Sequence, residues 1–192
     1  MTIKINYNNS GSKNNIINSI LFVDKNFDIS QLKKHISKNE YQYISDLLKN
    51  SDLKKDLMFF DISSKKKIFL VSINDDLKES DIENLGAKFH DFIDYNNKKN
   101  YFVNANTINS KVKNFLGYFL LGIKLKSYEF KIYKSKIKKK LITINVIGNK
   151  NIPSTENQLK FAAIERGTFY TRDLVSEPGN ILHPDEYAKR LK

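Results

Sequence analysis

The sequence contains no cysteine and no tryptophan, and among its 192 residues only 3 are proline and 7 glycine. Without cysteine there is no disulfide framework, no thiolate-ligated zinc and no dithiol redox pair. Single, dispersed glycines leave little from which to build a phosphate-cradling loop. The patterns G-x-x-x-x-G-K-[ST], G-x-G-x-x-G and G-x-S-x-G are absent. Long apolar runs are missing as well. No stretch approaches the roughly 18 consecutive apolar residues of a membrane helix, and residues 1–15 are polar, without the apolar segment of a secretory signal. These absences lead us to expect a cytoplasmic protein with no membrane partner.

Charge is abundant and one-sided, with a formal net charge of +12. Clustered cations attract polyanions, yet only Arg166, Arg172 and Arg190 of the 33 basic residues are arginine. Base-reading sites favour the bidentate guanidinium, so a surface solvated by lysine is the first reading. The densest run, Lys134-Ser135-Lys136-Ile137-Lys138-Lys139-Lys140, keeps a polyanion or DNA-binding module open as the alternative. Tyr128, Phe130 and Tyr133 lie close enough in sequence to offer stacking faces.

Apolar runs at 20–23, 57–62, 68–73 and 101–103 are short, rich in Ile, Val and Phe, and bounded by polar turns, as in buried strands. Residues 141–147 alternate in part, which predicts a peripheral strand. Val112, Phe115, Leu116, Phe119, Leu120 and Ile123 recur at helical spacing. A second helix is expected from Ser80, capped through Glu83, with Ile82, Leu85, Phe89 and Phe92 inward; residues 29–48 read as a less regular helix. Strands alternating with helices predict a layered α/β domain.

Turn-forming residues at 148–154 mark a boundary. A long helix follows, with Thr155 and Gln158 as a capping box and Leu159, Ala162, Ala163, Arg166, Gly167, Tyr170 and Leu174 at helical spacing. The small residues among them would admit another element at close range. Glu177-Pro178-Gly179-Asn180 stops this helix, and Pro184, with Asp185 and Glu186, opens another. A domain followed by a helix, a turn and a helix ending at Lys192 leads us to expect that the chain continues in its natural context.

Chemistry-bearing clusters are sparse. His35, His90 and His183 are far apart and show no H-E-x-x-H spacing. Asp75, Asp76, Glu79 and Asp81 offer oxygen ligands, but their place before a helix suits ordinary helix-start chemistry. No catalytic, cofactor-binding or metal-ligating residue is assigned.

Two segments resemble a known family, the leucyl aminopeptidases. Leu120-Leu121-Gly122-Ile123-Lys124-Leu125-Lys126-Ser127-Tyr128-Glu129-Phe130-Lys131-Ile132-Tyr133-Lys134 is similar to its stretch in which a helix ends at an L-R-S-Y-x-F-x-x-Y-K pattern, with Lys126 in place of arginine. Arg166-Gly167, followed by Thr171-Arg172-Asp173-Leu174-Val175-Ser176-Glu177-Pro178-Gly179-Asn180-Ile181-Leu182-His183-Pro184, is similar to the family's A-R-D-L-V-N-x-P-x-N-x-L-T-P segment. It departs at Thr171, Ser176 and His183, the last weakening a helix cap. Read from the residues alone, Arg172 and Asp173 tie the long helix to a neighbour, Leu174 and Val175 bury, and residues 178–180 turn the chain.

The resemblance implies a macro-domain-like layered sheet with helices on both faces at 1–148, an interdomain helix and turn at 149–182, and the first residues of a catalytic domain at 183–192. It implies a metallopeptidase acting on peptide substrates with two divalent metal ions, manganese or zinc, as a homo-hexamer. The family's metal-site motifs D-[ST]-G-G and N-T-D-A-E-G-R do not occur here. This chain alone is therefore expected to be inactive and to support assembly. The glycine-rich loops that bind ADP-ribose in macro domains are not evident either.

Overall fold

The computed structural model describes residues 2–7, 17–93, 100–134 and 141–192. Six strands, β1 (Thr2–Asn6), β2 (Asn18–Asp24), β3 (Leu57–Asp61), β4 (Lys67–Ile73), β5 (Asn100–Asn104) and β6 (Leu141–Ile147), form one sheet in the order β1-β6-β5-β2-β4-β3. All pairings are parallel except β3 with β4. The helices are α1 (Lys38–Leu48), α2 (Glu79–His90), α3 (Phe115–Lys126), α4 (Thr155–Ser176) and α5 (Pro184–Leu191), with a 3-10 turn at Ser30–Lys34.

Strand alternation divides the core into two layers. Ile20, Phe22, Phe69 and Val71 point to one face, where α2 and α3 supply Ile82, Leu85, Phe89, Leu116, Phe119 and Ile123. Leu21, Val23, Ile68 and Leu70 point to the other, against Leu32, Ile44 and Leu48. Helices thus cover both faces, the α/β layering expected from the sequence. Edge-to-face rings knit the larger layer: Phe22 to Phe119 at 5.3 Å and Phe69 to Phe89 at 5.4 Å. Helices α2 and α3 sit close because Gly86 faces the backbone of Phe119 and Ile123, and Gly122 that of Glu83.

Several local expectations are corrected. Strand β6 is interior, since β1 pairs along its outer side. The polar look of its second face is satisfied by a hydrogen bond from Asn6 Nδ2 to Asn145 Oδ1 at 3.0 Å, with Asn145 buried. Helix α2 starts one residue before Ser80: the Asp81 carboxylate accepts from the Lys78 amide at 2.8 Å, the role assigned to Glu83. Phe92 lies beyond its end, on the surface. Helix α3 begins at Phe115, after Asn114 in the left-handed region at φ 57°, so Val112 precedes it. The 29–48 segment splits into the 3-10 turn and α1, the latter capped reciprocally by Ser37 and Glu40.

Candidate functional site

In open α/β sheets, ligands settle outside the carboxyl ends of the strands where the strand order reverses. Here that point lies between β2 and β5. It is filled by the chain itself. Thr107 Oγ1 accepts from the Phe22 amide at 2.9 Å and donates to the Asn104 carbonyl at 2.8 Å. Asn106 Oδ1 accepts from the amides of Asn149 and Lys150 at 3.0 and 3.1 Å. Asn151 Nδ2 donates to the carbonyls of Ala105 and Ile108 at 3.1 and 2.8 Å. Gly148, at φ +117°, sits where a Cβ would lie 3.0 Å from Asn106 Cγ. The amides of Asn149 and Lys150 and the carbonyls of Ala105 and Ile108 are thus engaged by asparagine side chains.

The second concentration of polar contacts joins the end of α3 to α4. The N-cap of α4 is Ser154, one residue earlier than expected, which accepts from the Asn157 amide at 3.3 Å. Gln158 instead donates to the Pro153 carbonyl at 2.8 Å. The α4 helix packs on α3 by fitting the Phe161 ring into the notch left by Gly117, where a Cβ would meet Cζ at 2.6 Å. One turn further along α4, Lys124 Nζ pairs with Glu165 at 2.8 Å, both side chains largely buried.

Towards the end of the helix, Arg172 Nη1 donates to the Leu125 carbonyl at 2.6 Å, satisfying an acceptor in the last turn of α3. Its guanidinium lies 5.5 Å from the Tyr128 ring centroid. The Tyr128 hydroxyl donates to Asp173 Oδ1 at 2.8 Å, and its ring packs 5.2 Å from Phe169. Burial, followed by the bond to Asp173, pushes the Tyr128 phenol above its ordinary range. Residues 45 and 47 positions apart thus close one clamp.

The clamp continues past the α4 stop. Tyr133 donates to the Glu177 carboxylate, whose other oxygen accepts from Arg190 Nη1 at 2.9 Å; Arg190 also reaches Glu186 at 3.0 Å. Donation from Tyr133 and then from Arg190 holds the Glu177 carboxyl below the usual range. Tyr170 donates to the Arg190 carbonyl. The geometry is that of a joint, which ties α5 to α4 and α4 to the end of α3.

Arg172 and Asp173 make the ties expected of them, and Leu174 is buried. Val175 is not: it is 81% exposed. Helical neighbours lie about 100° apart, and the side that covers Leu174 leaves Val175, one residue before the end of α4, to solvent. Leu159, at 65%, and Gly167, with no atom near its missing Cβ, also face outward, so no described element approaches α4 at Gly167. The Glu177–Arg190 pair, the Lys124–Glu165 pair and the Gly117–Phe161 notch have no counterpart in the sequence reading. Separations of 13 and 41 residues in the two ion pairs leave no local periodicity to show them.

His35 Nδ1 lies 3.1 Å from Asn104 Nδ2, and burial lowers the pKa of His90 beside Asp91. His183 is the N-cap of α5, without a side-chain cap bond. Among the described residues no group of three or more His, Cys, Asp or Glu is placed to hold a metal ion. Of the acids at 75–81, Asp81 caps α2, in keeping with helix-start chemistry. In the lysine run, residues 135–140, with Lys136, Lys138, Lys139 and Lys140, lie outside the described residues. No described helix is long and apolar enough to cross a membrane.

No protein-family model matches the chain. Among curated proteins, a probable cytosol aminopeptidase of Phytoplasma mali is 41% identical over 80 residues, covering 38% of this chain and 16% of that protein. A counterpart from Dinoroseobacter shibae is 41% identical over 73 residues, covering 36% and 14%. Among solved structures, a tomato leucine aminopeptidase mutant superposes with a TM-score of 0.67 at 17% identity over 98% of this chain and 41% of its own. The Coxiella burnetii cytosol aminopeptidase gives 0.63 at 12% identity, over 97% and 36%. A bottromycin maturation enzyme in complex with Mn gives 0.60 at 13%, over 91% and 34%. The chain therefore spans less than half the length of these solved neighbours, and its match spans 16% of the Phytoplasma relative.

Proposed function

Since the chain belongs to the leucyl (cytosol) aminopeptidase family, we propose that it is the N-terminal, non-catalytic part of a metal-dependent aminopeptidase that releases N-terminal residues from peptides. The observation that carries this reading is the clamp. Tyr128 belongs to one family-like segment and Asp173 to the other, and the fold brings them within 2.8 Å. Similar segments in the right order are a pattern; their direct contact gives the pattern a physical role.

In this reading residues 1–148 form the α/β domain, 149–182 the connecting helix and turn, and 183–192 the start of the catalytic domain. Two divalent metals, manganese or zinc, are held by that further domain in the cytoplasm. The bottromycin maturation enzyme, described with Mn, supports metal use by proteins of this fold. The role of this segment is to hold α4 at a fixed angle and to support assembly, for which a hexamer is the expected state.

Two measurements test the proposal. Purified chain supplied with manganese should not hydrolyse a leucine anilide; turnover above the metal-only rate overturns the non-catalytic assignment. The reading frame beyond Lys192 should encode D-[ST]-G-G and N-T-D-A-E-G-R. A continuation lacking both overturns the aminopeptidase assignment itself.

A further inference from the structure

Strand β3 ends the sheet, and its geometry can be worked out peptide by peptide. The Ser72 amide donates to the Asp56 carbonyl at 2.8 Å, and the Ile62 amide to the Lys66 carbonyl at 2.9 Å. With Met58 opposite Leu70 and Phe60 opposite Ile68, the even-numbered residues direct their peptide groups toward β4. Leu57, Phe59 and Asp61 therefore direct theirs outward, away from the sheet. An edge of this kind is a template for a further strand.

The side chains along this edge are apolar in the middle and charged at the ends. Phe59 is 46% exposed and Phe92, 5.8 Å from it, 38%. A groove of about 360 Å³ runs past Lys55, Leu57, Met58, Phe59, Phe60 and Phe92. At one end stands Lys55; at the other Asp61, paired with Lys67 at 2.9 Å, whose ammonium lies 5.2 Å over the Phe59 ring.

We infer that β3 pairs antiparallel with β3 of a second copy of this chain, about a two-fold axis through Met58. The sequence Lys55-Asp56-Leu57-Met58-Phe59-Phe60-Asp61 is self-complementary in that register. Leu57 faces Phe59 of the other copy, twice, and Lys55 faces its Asp61, twice. Leu57, Phe59 and Asp61 are residues whose peptide groups point outward, so the central ladder hydrogen bonds between Leu57 and Phe59 fall on outward donors and acceptors. Opposite charges flank an apolar centre, the arrangement that stabilises cross-strand pairs. The contact is isologous and closes at two copies. A single short edge with a narrow apolar rim buries little area, the small end of protein interfaces. The inference is independent of the aminopeptidase reading, and failure of one leaves the other standing.

Sedimentation of the full chain tests it. The wild type should pass, with rising concentration, from a mass of 22.4 kDa to twice that. Lys55→Asp alone, or Asp61→Lys alone, sets two like-charge pairs across the axis and should weaken association about tenfold or more. Mixing the two variants in equal amounts places one acidic edge against one basic edge, so both end pairs become opposite in charge again, and wild-type association should return. That recovery also shows that each variant is folded. A wild type that stays at the single-chain mass overturns the inference, as do single variants that associate like the wild type or a mixture that does not recover.

Discussion

Replacing Gly122 with alanine would place a methyl group 2.7 Å from the carbonyl carbon and 3.0 Å from the Cα of Glu83, with the carbonyl oxygen nearer still. Those atoms are backbone of α2 and cannot rotate aside, so α2 and α3 must separate. Separation loosens Ile82, Leu85 and Ile123, all buried between these helices and the sheet. Overpacking of this kind costs about 1–3 kcal/mol, here toward the upper end, against about 1 kcal/mol regained from the better helix propensity of alanine. A net loss of about 2 kcal/mol follows, or a fall in Tm of roughly 4–8 °C for a chain of this size. Gly167 supplies the opposite case, because nothing lies within 4 Å of its missing Cβ in the interior of α4. There the same substitution should gain about 1 kcal/mol and raise Tm by roughly 2–4 °C. Thermal unfolding followed by circular dichroism measures both. If Gly122→Ala melts at or above the wild-type temperature, the α2–α3 seam is not held as described.

The clamp predicts coupling between distant residues: in a double-mutant cycle of Tyr128→Phe and Asp173→Ala, urea unfolding should give about 1 kcal/mol of interaction, and additive effects would refute the bond. Burial and nearby Glu165 push the Tyr7 phenol up to about 12, and donation to Glu79 does the same for Tyr118. Folded values above the ordinary 10.0 mean stability that is complete below that pH and lost as pH rises toward about 12. The urea midpoint should therefore fall across this window, and Tyr7→Phe should flatten the fall; an unchanged slope would count against the burial of Tyr7. At His183, whose side chain caps nothing, substitution by threonine should stabilise α5 by about 0.5–1 kcal/mol, seen as slower amide exchange at 185–191.

How far the sequence reaches depends on the range of the forces involved. Strand β4 is legible because Ile68 and Leu70 bury on one face while Phe69 and Val71 bury on the other, which needs an apolar run and nothing more. Strand β1 is not. Ile3 and Ile5 are its residues that pack on the core, and what makes it a strand is its pairing with β6, 139 residues away. For the same reason β6 looks peripheral from its own residues: Asn145 reads as a solvated position until Asn6 is beside it. The clamp shows the middle case. Arg172 and Asp173 are recognisable as ties by their chemistry, but their partners, Leu125 and Tyr128, can be named only from the fold. Leu159 escapes the sequence pattern because helical spacing gives relative angles and no origin. The origin is set by Phe161 in the Gly117 notch; Leu159, two residues earlier, falls about 160° around the wheel from it at roughly 3.6 residues per turn, and so faces solvent. A single long-range contact, once known, orients the first turns of α4 and decides which of their residues remain free to meet another surface.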